Sequence, residues 1–168
     1  TYFSVSPVSI AVDFPSQGSP LMQDFCITPN GMHSDLAIYQ RQLGIARPGF
    51  DASYAIRVEN RGNQLESGTI SLDYNGDILH LVTSNPAVAS QSPNLLTWQF
   101  SELQPFETLT INVDLHLNSP TDMPPVDAGD QLTFIATVAS DLTDENLSDN
   151  HFILVHEVRN SQDPNDKT

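Results

Sequence analysis

The densest group of side chains that could do chemistry lies near the C-terminus, between residues 141 and 150. Four carboxylates and two amides fall within ten residues there, and hard oxygen donors at that density could hold Ca²⁺. The candidate ligands are Asp141, Asp144, Glu145 and Asp149. Their spacing lacks the central glycine and the terminal glutamate of an EF-hand loop. A long polar hairpin, in which Asp and Asn side chains accept backbone N–H bonds, is the alternative interpretation. No other cofactor is expected.

Other patterns that carry chemistry are missing from the sequence. The five histidines are scattered, at His33, His80, His116, His151 and His156. They form no HExxH motif, and there is no nucleophile elbow, P-loop or Rossmann glycine pattern. Cys26 lies in a predicted strand between Phe25 and Ile27, so we expect a buried, inert thiol. The sequence therefore predicts no catalytic residues and a protein that is not an enzyme.

Charge excludes two classes of partner. The 168 residues include 6 basic and 21 acidic side chains, which give a formal net charge of −15. Binding to phosphates needs clustered Lys and Arg, so nucleic acid and an anionic membrane surface are unfavourable partners. No apolar run approaches the roughly 18 residues that a membrane span needs, so no membrane insertion is expected. A single cysteine excludes an internal disulfide.

The elements that would position these side chains are β-strands. Apolar and polar residues alternate through most of the chain, most regularly over Thr108–Leu117, and no helical stripe interrupts the pattern. From residue 34 onward we predict eight strands: Ser34–Leu43, Phe50–Asn60, Thr69–Tyr74, Asp77–Thr83, Leu95–Phe100, Thr108–Leu117, Leu132–Val138 and Phe152–Val158. Their spacing predicts an all-β, immunoglobulin-like antiparallel two-sheet sandwich of seven or eight strands in Greek-key order.

Particular residues refine this sandwich. Trp98 is expected to fill the centre of the core. Asn75-Gly76, between two predicted strands, favours a tight hairpin because both residues tolerate positive φ. Phe50 and Phe106 are expected to seal the ends of the sandwich, which leaves Tyr39 and Tyr2 as the main exposed aromatic candidates for ligand binding.

The first 33 residues form a separate unit in this interpretation. Three short strands, Tyr2–Ser6, Ser9–Phe14 and Leu21–Ile27, are predicted there, and so little chain cannot bury a core alone. We therefore assign residues 1–33 to the tail strands of a preceding β-module or to a strand-exchange segment, and 34–160 to the sandwich. Residues 161–168, which include Asp163-Pro164-Asn165-Asp166, are assigned to a C-terminal joint between domains.

Several short motifs, taken in their order, resemble a known family. They are Ala46–Ala52, Val58–Gly62, Leu96–Trp98, Leu103–Glu107, Asn118–Pro125, Gly129–Leu132, Asp149-Asn150 and the closing Asp163–Lys167. Together they resemble the immunoglobulin-like, CARDB-like modules of large secreted or surface adhesin-type proteins of Bacteroidetes. The segments Tyr2–Pro7 and Asp24–Pro29 resemble the last strands of a Cna-B-like or carboxypeptidase-regulatory module that often precedes them.

The resemblance implies a structural role outside the cell. It implies a non-catalytic stalk or assembly repeat of a multidomain bacterial surface or filament-forming protein, whose partners are neighbouring modules of the chain or neighbouring subunits of a polymer. The incomplete N-terminal segment adds the hypothesis of β-strand complementation between subunits. The alternative is a module that binds a glycan or a surface protein and is attached to a secreted enzyme.

Overall fold

Strands make up nearly all of the regular structure. The computed structural model describes residues 1–13 and 20–160, and this part of the chain forms eleven strands and one short 3-10 turn. The strands are β1 (Phe3–Ser6), β2 (Cys26–Pro29), β3 (Leu36–Gln42), β4 (Asp51–Asn60), β5 (Glu66–Asp73), β6 (Leu79–Asn85), β7 (Ser90–Ser92), β8 (Leu95–Leu103), β9 (Thr108–Leu117), β10 (Gln131–Ser140) and β11 (His151–Glu157). The described residues include no helix long and apolar enough to cross a membrane.

Two antiparallel sheets form a sandwich. One has four strands in the order β3-β4-β9-β6, and the other has five in the order β11-β10-β5-β8-β7. The predicted all-β two-sheet sandwich is therefore confirmed. Nine strands build it instead of seven or eight, because the three-residue β7 pairs with β8 at an edge of the larger sheet.

The core follows the period-2 pattern of the sequence. In β9 the alternate residues Ile111, Val113, Leu115 and Leu117 are fully buried, because successive side chains of a strand point to opposite faces. Trp98 is 1% exposed at the centre of the core, as predicted. Its indole N–H donates to Ser84 Oγ at 3.0 Å and to the carbonyl of Pro86 at 3.2 Å, so the ring links the two sheets.

The sandwich receives the chain at one end and releases it at the other. At the first end, which we call the proximal end, the loop before β11 meets the start of β3, since Glu145 N donates to Ser34 O at 2.9 Å. At the opposite, distal end, Ala46 and Val158 form a parallel bridge after both strands have ended. β3 and β11 therefore run in the same direction. The ten-residue β4 and β9 give the sandwich a length of about 33 Å at about 3.3 Å per residue.

The N-terminal segment forms a two-stranded ribbon beside the proximal end. β1 and β2 are antiparallel, with Phe3 opposite Pro29 and Val5 opposite Ile27. Alternation places these four residues on one face of the ribbon and Ser4, Ser6, Cys26 and Thr28 on the other. The ribbon is amphipathic, and much of its apolar face is open, since Val5 is 44% and Ile27 is 56% exposed.

The structure contradicts the predicted hairpin at Asn75-Gly76. β5 belongs to the five-stranded sheet and β6 to the four-stranded sheet, so these residues cross between sheets. Gly76 does not have a positive φ. A Cβ atom there would lie 1.6 Å from the carbonyl oxygen of Pro93, so glycine is needed because the chain before β8 passes too close for any side chain.

Other local predictions were also wrong, for related reasons. Residues 9–13 form no strand, and the third predicted strand is limited to Cys26–Pro29. Cys26 is exposed, so the prediction of a buried thiol is wrong. Phe50 and Phe106 are each 61% exposed and do not seal the ends. Phe14 and the joint assigned to residues 161–168 lie outside the described residues.

Candidate functional site

The acidic loop at residues 141–150 makes hydrogen bonds to the start of β3 at the proximal end. The side chain of Asp144, 9% exposed, accepts hydrogen bonds from Leu36 N and Asn146 N, both at 2.8 Å. The first of these bonds caps the open side of β3. The loop joins β10 to β11, which are paired, so it is the long polar hairpin that the sequence offered as an alternative.

The other carboxylates of this loop point to different partners. Asp149 Oδ2 lies 2.7 Å from Arg61 Nη1, and Glu145 Oε1 lies 2.8 Å from His33 Nδ1. Asp141 is exposed, and its backbone N–H donates to Ser67 O at 2.8 Å. Within residues 1–13 and 20–160, no group of three or more His, Cys, Asp or Glu side chains is arranged to hold a metal ion. The four candidate ligands therefore do not fit a Ca²⁺ site in this arrangement, and calcium binding stays a prediction.

Asn63 fastens the ribbon to the sandwich. Its side-chain Nδ2 donates to Tyr2 O at 3.0 Å and to Gly31 O at 3.2 Å, while its Oδ1 accepts from His33 N at 2.8 Å. One amide thus ties both strands at the base of the ribbon to the segment that leads into β3. Asn63 is 8% exposed, so these bonds are largely shielded from competing water.

Aromatic and charged side chains surround this amide. The ring of Tyr2 stacks on His33 with centroids 4.6 Å apart, and Phe3 contacts Phe106 at the same centroid distance. Both ring nitrogens of His33 face oxygen acceptors at 2.8 Å, the carboxylate of Glu145 and the carbonyl of Asn30. The ring of His33 therefore connects the acidic loop to the end of the ribbon.

Asp35 is a buried carboxyl beneath this joint. Burial raises its pKa; the Tyr2 hydroxyl opposes that rise, and the charges of Asp149 and Asp144 add to it. Arg61, which lowers the same pKa, also bonds the Tyr39 hydroxyl and pairs with Asp149. The proximal end is therefore a connected polar network that joins the ribbon, β3 and the acidic loop.

A shallow groove of about 550 Å³ runs across the outer face of the four-stranded sheet near β3. Its lining residues are Tyr39, Gln40, Arg41, Ala55, Arg57, Glu59, Thr108 and Thr110. The register places Tyr39 directly opposite Arg57 and Arg57 opposite Thr110, so these side chains share one face. The strand pairing alone therefore brings a tyrosine, two arginines and two threonines together.

This groove holds two arginines and one glutamate in an otherwise acidic chain. Arg41 and Arg57 are two of only six basic residues. Neither forms an ion pair with a described residue, whereas Arg61, next to the groove, is paired with Glu59 at 3.6 Å and Asp149 at 2.7 Å. Two unpaired guanidinium groups beside hydroxyl groups can bind a carboxylate or another anion by charge-assisted hydrogen bonds. The sequence analysis did not identify this site, because the arginines are separated along the chain and meet only through strand pairing.

A buried polar pair lies at the opposite side of the core. Tyr54 Oη is 3.1 Å from His156 Nδ1, and the two residues are 0% and 7% exposed. Burial lowers the pKa of His156, and the charge of Arg159 lowers it further. Burial raises the pKa of Tyr54. The Tyr54 hydroxyl and the His156 ring thus satisfy each other's polar atoms inside the core, which is what a buried polar pair needs to stabilise the fold.

Comparisons with known proteins establish the fold. No protein-family model and no curated protein matches the sequence. Among solved structures, the chain is similar to the CARDB domain of a Pyrococcus furiosus protein, solved in complex with di-metal ions, with a TM-score of 0.51 and 15% identity over 79% of this chain and 99% of that one. It also matches a cohesin module from a family 33 glycoside hydrolase of Clostridium perfringens, with a TM-score of 0.49 and 14% identity over 78% of this chain and 100% of the module. At such identities the CARDB likeness shows a shared β-sandwich fold alone.

Proposed function

We propose that this chain is a non-catalytic structural or adhesive module of a multidomain bacterial surface or filament-forming protein, where it acts as a stalk or assembly repeat outside the cell. One observation carries the proposal. The sandwich receives the chain at the proximal end and releases it at the distal end, where Arg159 N donates to Ala46 O at 2.9 Å. A module with its ends about 33 Å apart extends a serial chain, whereas one with adjacent ends would fold it back.

The joint at the proximal end supports this role. A stalk needs junctions that limit bending, and Asn63 holds three backbone groups of the N-terminal segment at 2.8–3.2 Å. Residues 1–33 in this proposal belong with the preceding module or with strand exchange, residues 34–160 form the repeat, and residues 161–168 lead to the next module. The partners are neighbouring modules or neighbouring subunits.

Stretching a single molecule from its two termini tests the proposal. Because β3 and β11 are pulled along their length, lateral hydrogen bonds and the Arg159–Ala46 bond must break together, which predicts one distinct force peak. Release of the sandwich should lengthen the chain by about 400 Å at about 3.6 Å per residue, less the folded length. Gradual extension without a peak would contradict a load-bearing module.

The groove that holds Arg41 and Arg57 favours a second candidate, a binding module attached to a secreted enzyme. Arg41 and Arg57 form no ion pair within residues 1–13 and 20–160 and lie beside Tyr39. They suit an acidic glycan or an acidic protein segment. Titration with polygalacturonate, with a neutral polysaccharide as the control, tests this candidate. Binding that falls at least tenfold in Arg41→Gln/Arg57→Gln would support it, and equal or absent binding of both polymers would contradict it.

A further inference from the structure

Two histidines that are distant in the sequence lie side by side on the four-stranded sheet. His80 of β6 is directly opposite His116 of β9, and His116 is directly opposite Asp51 of β4. All three lie on the outer face at the distal end, because the adjacent strand residues Leu79 and Leu115 point into the core. Directly opposed residues have Cβ atoms about 4.5–5.5 Å apart, so the two imidazole rings are neighbours.

The partner of His116 fixes which of its ring nitrogens carries hydrogen. His116 Nδ1 lies 2.6 Å from Asp51 Oδ1. An ionised carboxylate only accepts hydrogen bonds, so Nδ1 is the donor. In a neutral imidazole the lone pair is then on Nε2, which has no hydrogen-bond partner among the described residues.

Asn118 fixes the tautomer of His80 in the same way. The side-chain nitrogen of Asn118 donates to Asp77 O at 3.1 Å and to Pro124 O at 2.8 Å. The atom that faces His80 Nε2 at 2.9 Å is therefore the amide oxygen, which can only accept. His80 Nε2 is the donor, and the lone pair of a neutral His80 ring is on Nδ1.

This arrangement is typical of histidines that bind metal ions. A metal-ligating histidine usually donates its other ring N–H to a carboxylate or a carbonyl, which holds the ring in place and makes the free nitrogen a better ligand. Asp51 and Asn118 supply these two acceptors. A second carboxylate lies close by: hydrogen bonds from Ser119 lower the pKa of Asp122, and the charges of both histidines lower it further. Two carboxylates near the rings favour a bound cation.

The other three histidines lack this arrangement. Both ring nitrogens of His33 already lie 2.8 Å from oxygen atoms. His156 is buried and bonds the Tyr54 hydroxyl. His151 is opposite Thr137 and has no second histidine across the strand pair. Only His80 and His116 combine a neighbouring ring with a free nitrogen on each, among the residues that the structure describes.

We propose that His80 Nδ1 and His116 Nε2 together bind one divalent transition-metal ion of the kind that prefers imidazole, such as Zn²⁺. Zn–N bonds of about 2.0–2.1 Å in tetrahedral geometry place the two ligand nitrogens about 3.4 Å apart, a spacing that two directly opposed rings can reach. The described residues supply two ligands here and not a group of three. Two positions of the ion therefore remain for water or for a donor atom of another molecule. This inference does not depend on the proposed stalk role.

Calorimetric titration of the metal-free protein with Zn²⁺ tests the site. We expect one Zn²⁺ per chain, and no binding of Mg²⁺ at these nitrogens because Mg²⁺ requires oxygen ligands. His80→Asn and His116→Asn should each weaken Zn²⁺ binding by about tenfold or more. His151→Asn, which removes an exposed histidine from β11, is the matched control and should bind like the unchanged protein.

Nitrogen NMR of the histidine rings provides a second measurement that needs no variant. Added Zn²⁺ should shift the resonances of His80 Nδ1 and His116 Nε2, while the nitrogens that face Asn118 and Asp51 keep their hydrogens. Absence of Zn²⁺ binding, equal affinity in His80→Asn and His116→Asn, or shifts confined to other histidines would overturn the proposal. None of these results would change the force peak expected of the module.

Discussion

The position of the N-terminal ribbon should depend on the side-chain amide of Asn63. Asn63→Asp keeps the oxygen that accepts from His33 N at 2.8 Å and replaces the nitrogen that donates to Tyr2 O and Gly31 O. The substitution therefore removes two donors and sets a carboxylate oxygen against two carbonyl oxygens. The rest of the joint, including the Phe3–Phe106 contact, is unchanged in composition.

The size of the effect follows from these two bonds. Each hydrogen bond contributes about 0.5–1.5 kcal/mol, and a buried group left without a partner costs about 1–3 kcal/mol. Asn63 is 8% exposed, so water compensates only partly. A loss of about 2–3 kcal/mol in the free energy of docking corresponds to a shift of about 30- to 150-fold in the docking equilibrium.

Hydrogen exchange followed by mass spectrometry measures this shift. The amide of Asn30, which donates to Tyr2 O at 2.9 Å, and its neighbours in the ribbon should exchange about 30 to 150 times faster in the variant. A two-stranded ribbon has little stability of its own, so undocking exposes its amides. Asn112→Asp, at an exposed position of β9, is the matched control for the added charge. Unchanged ribbon protection in a folded Asn63→Asp protein would refute the role of the amide.

Three further predictions concern stability. Because burial lowers the pKa of His156, the unfolded state binds more protons than the folded state below about pH 6.5. Denaturant titrations should therefore show the free energy of unfolding falling as the pH drops below that value. His156→Gln should weaken this pH dependence, and identical pH profiles for the two proteins would contradict the prediction. Gln40 is 4% exposed, and both polar atoms of its side chain lack hydrogen-bond partners in the described part of the chain. Gln40→Leu should therefore raise the free energy of unfolding by about 1–3 kcal/mol. A loss of stability would show that Gln40 makes an unrecognised hydrogen bond. EDTA should leave the melting temperature unchanged, and a rise with added Ca²⁺ that Asp144→Asn abolishes would show that residues 141–150 can rearrange into a metal site.

From residue 34 onward the local pattern of the sequence predicted every strand except the three-residue β7, but it did not predict which strands pair. Thr108–Leu117 has the same bounds in the prediction and in the structure, because alternation reports directly on one buried face. Asn75-Gly76 was misread because a turn signal does not reveal which sheet the next strand joins. The requirement for glycine there comes from Pro93, which is distant along the chain.

The candidate sites depended even more on long-range contacts. Asp144 and Asp149 were assigned together as possible metal ligands because they are close in sequence, but one caps β3 and the other pairs with Arg61. No local sequence pattern indicated the groove that holds Arg41 and Arg57. None indicated the hydrogen bonds of the Asn63 side chain either. Cys26 was expected to be buried because it lies in a predicted strand between apolar residues. Alternation shows that a strand has an apolar face, but it does not show that another part of the protein covers that face.

The separation between the two ends of the sandwich is the most direct test of a serial module. Spin labels at Met32→Cys and Arg159→Cys, in a Cys26→Ser background, place one probe just before β3 and one just after β11; Met32 is 79% exposed. Pulsed electron paramagnetic resonance should give one distance distribution centred at about 35–45 Å, from about 33 Å of strand and the label arms. A distribution centred below about 20 Å would mean that the chain enters and leaves at the same end, and it would contradict the proposed stalk.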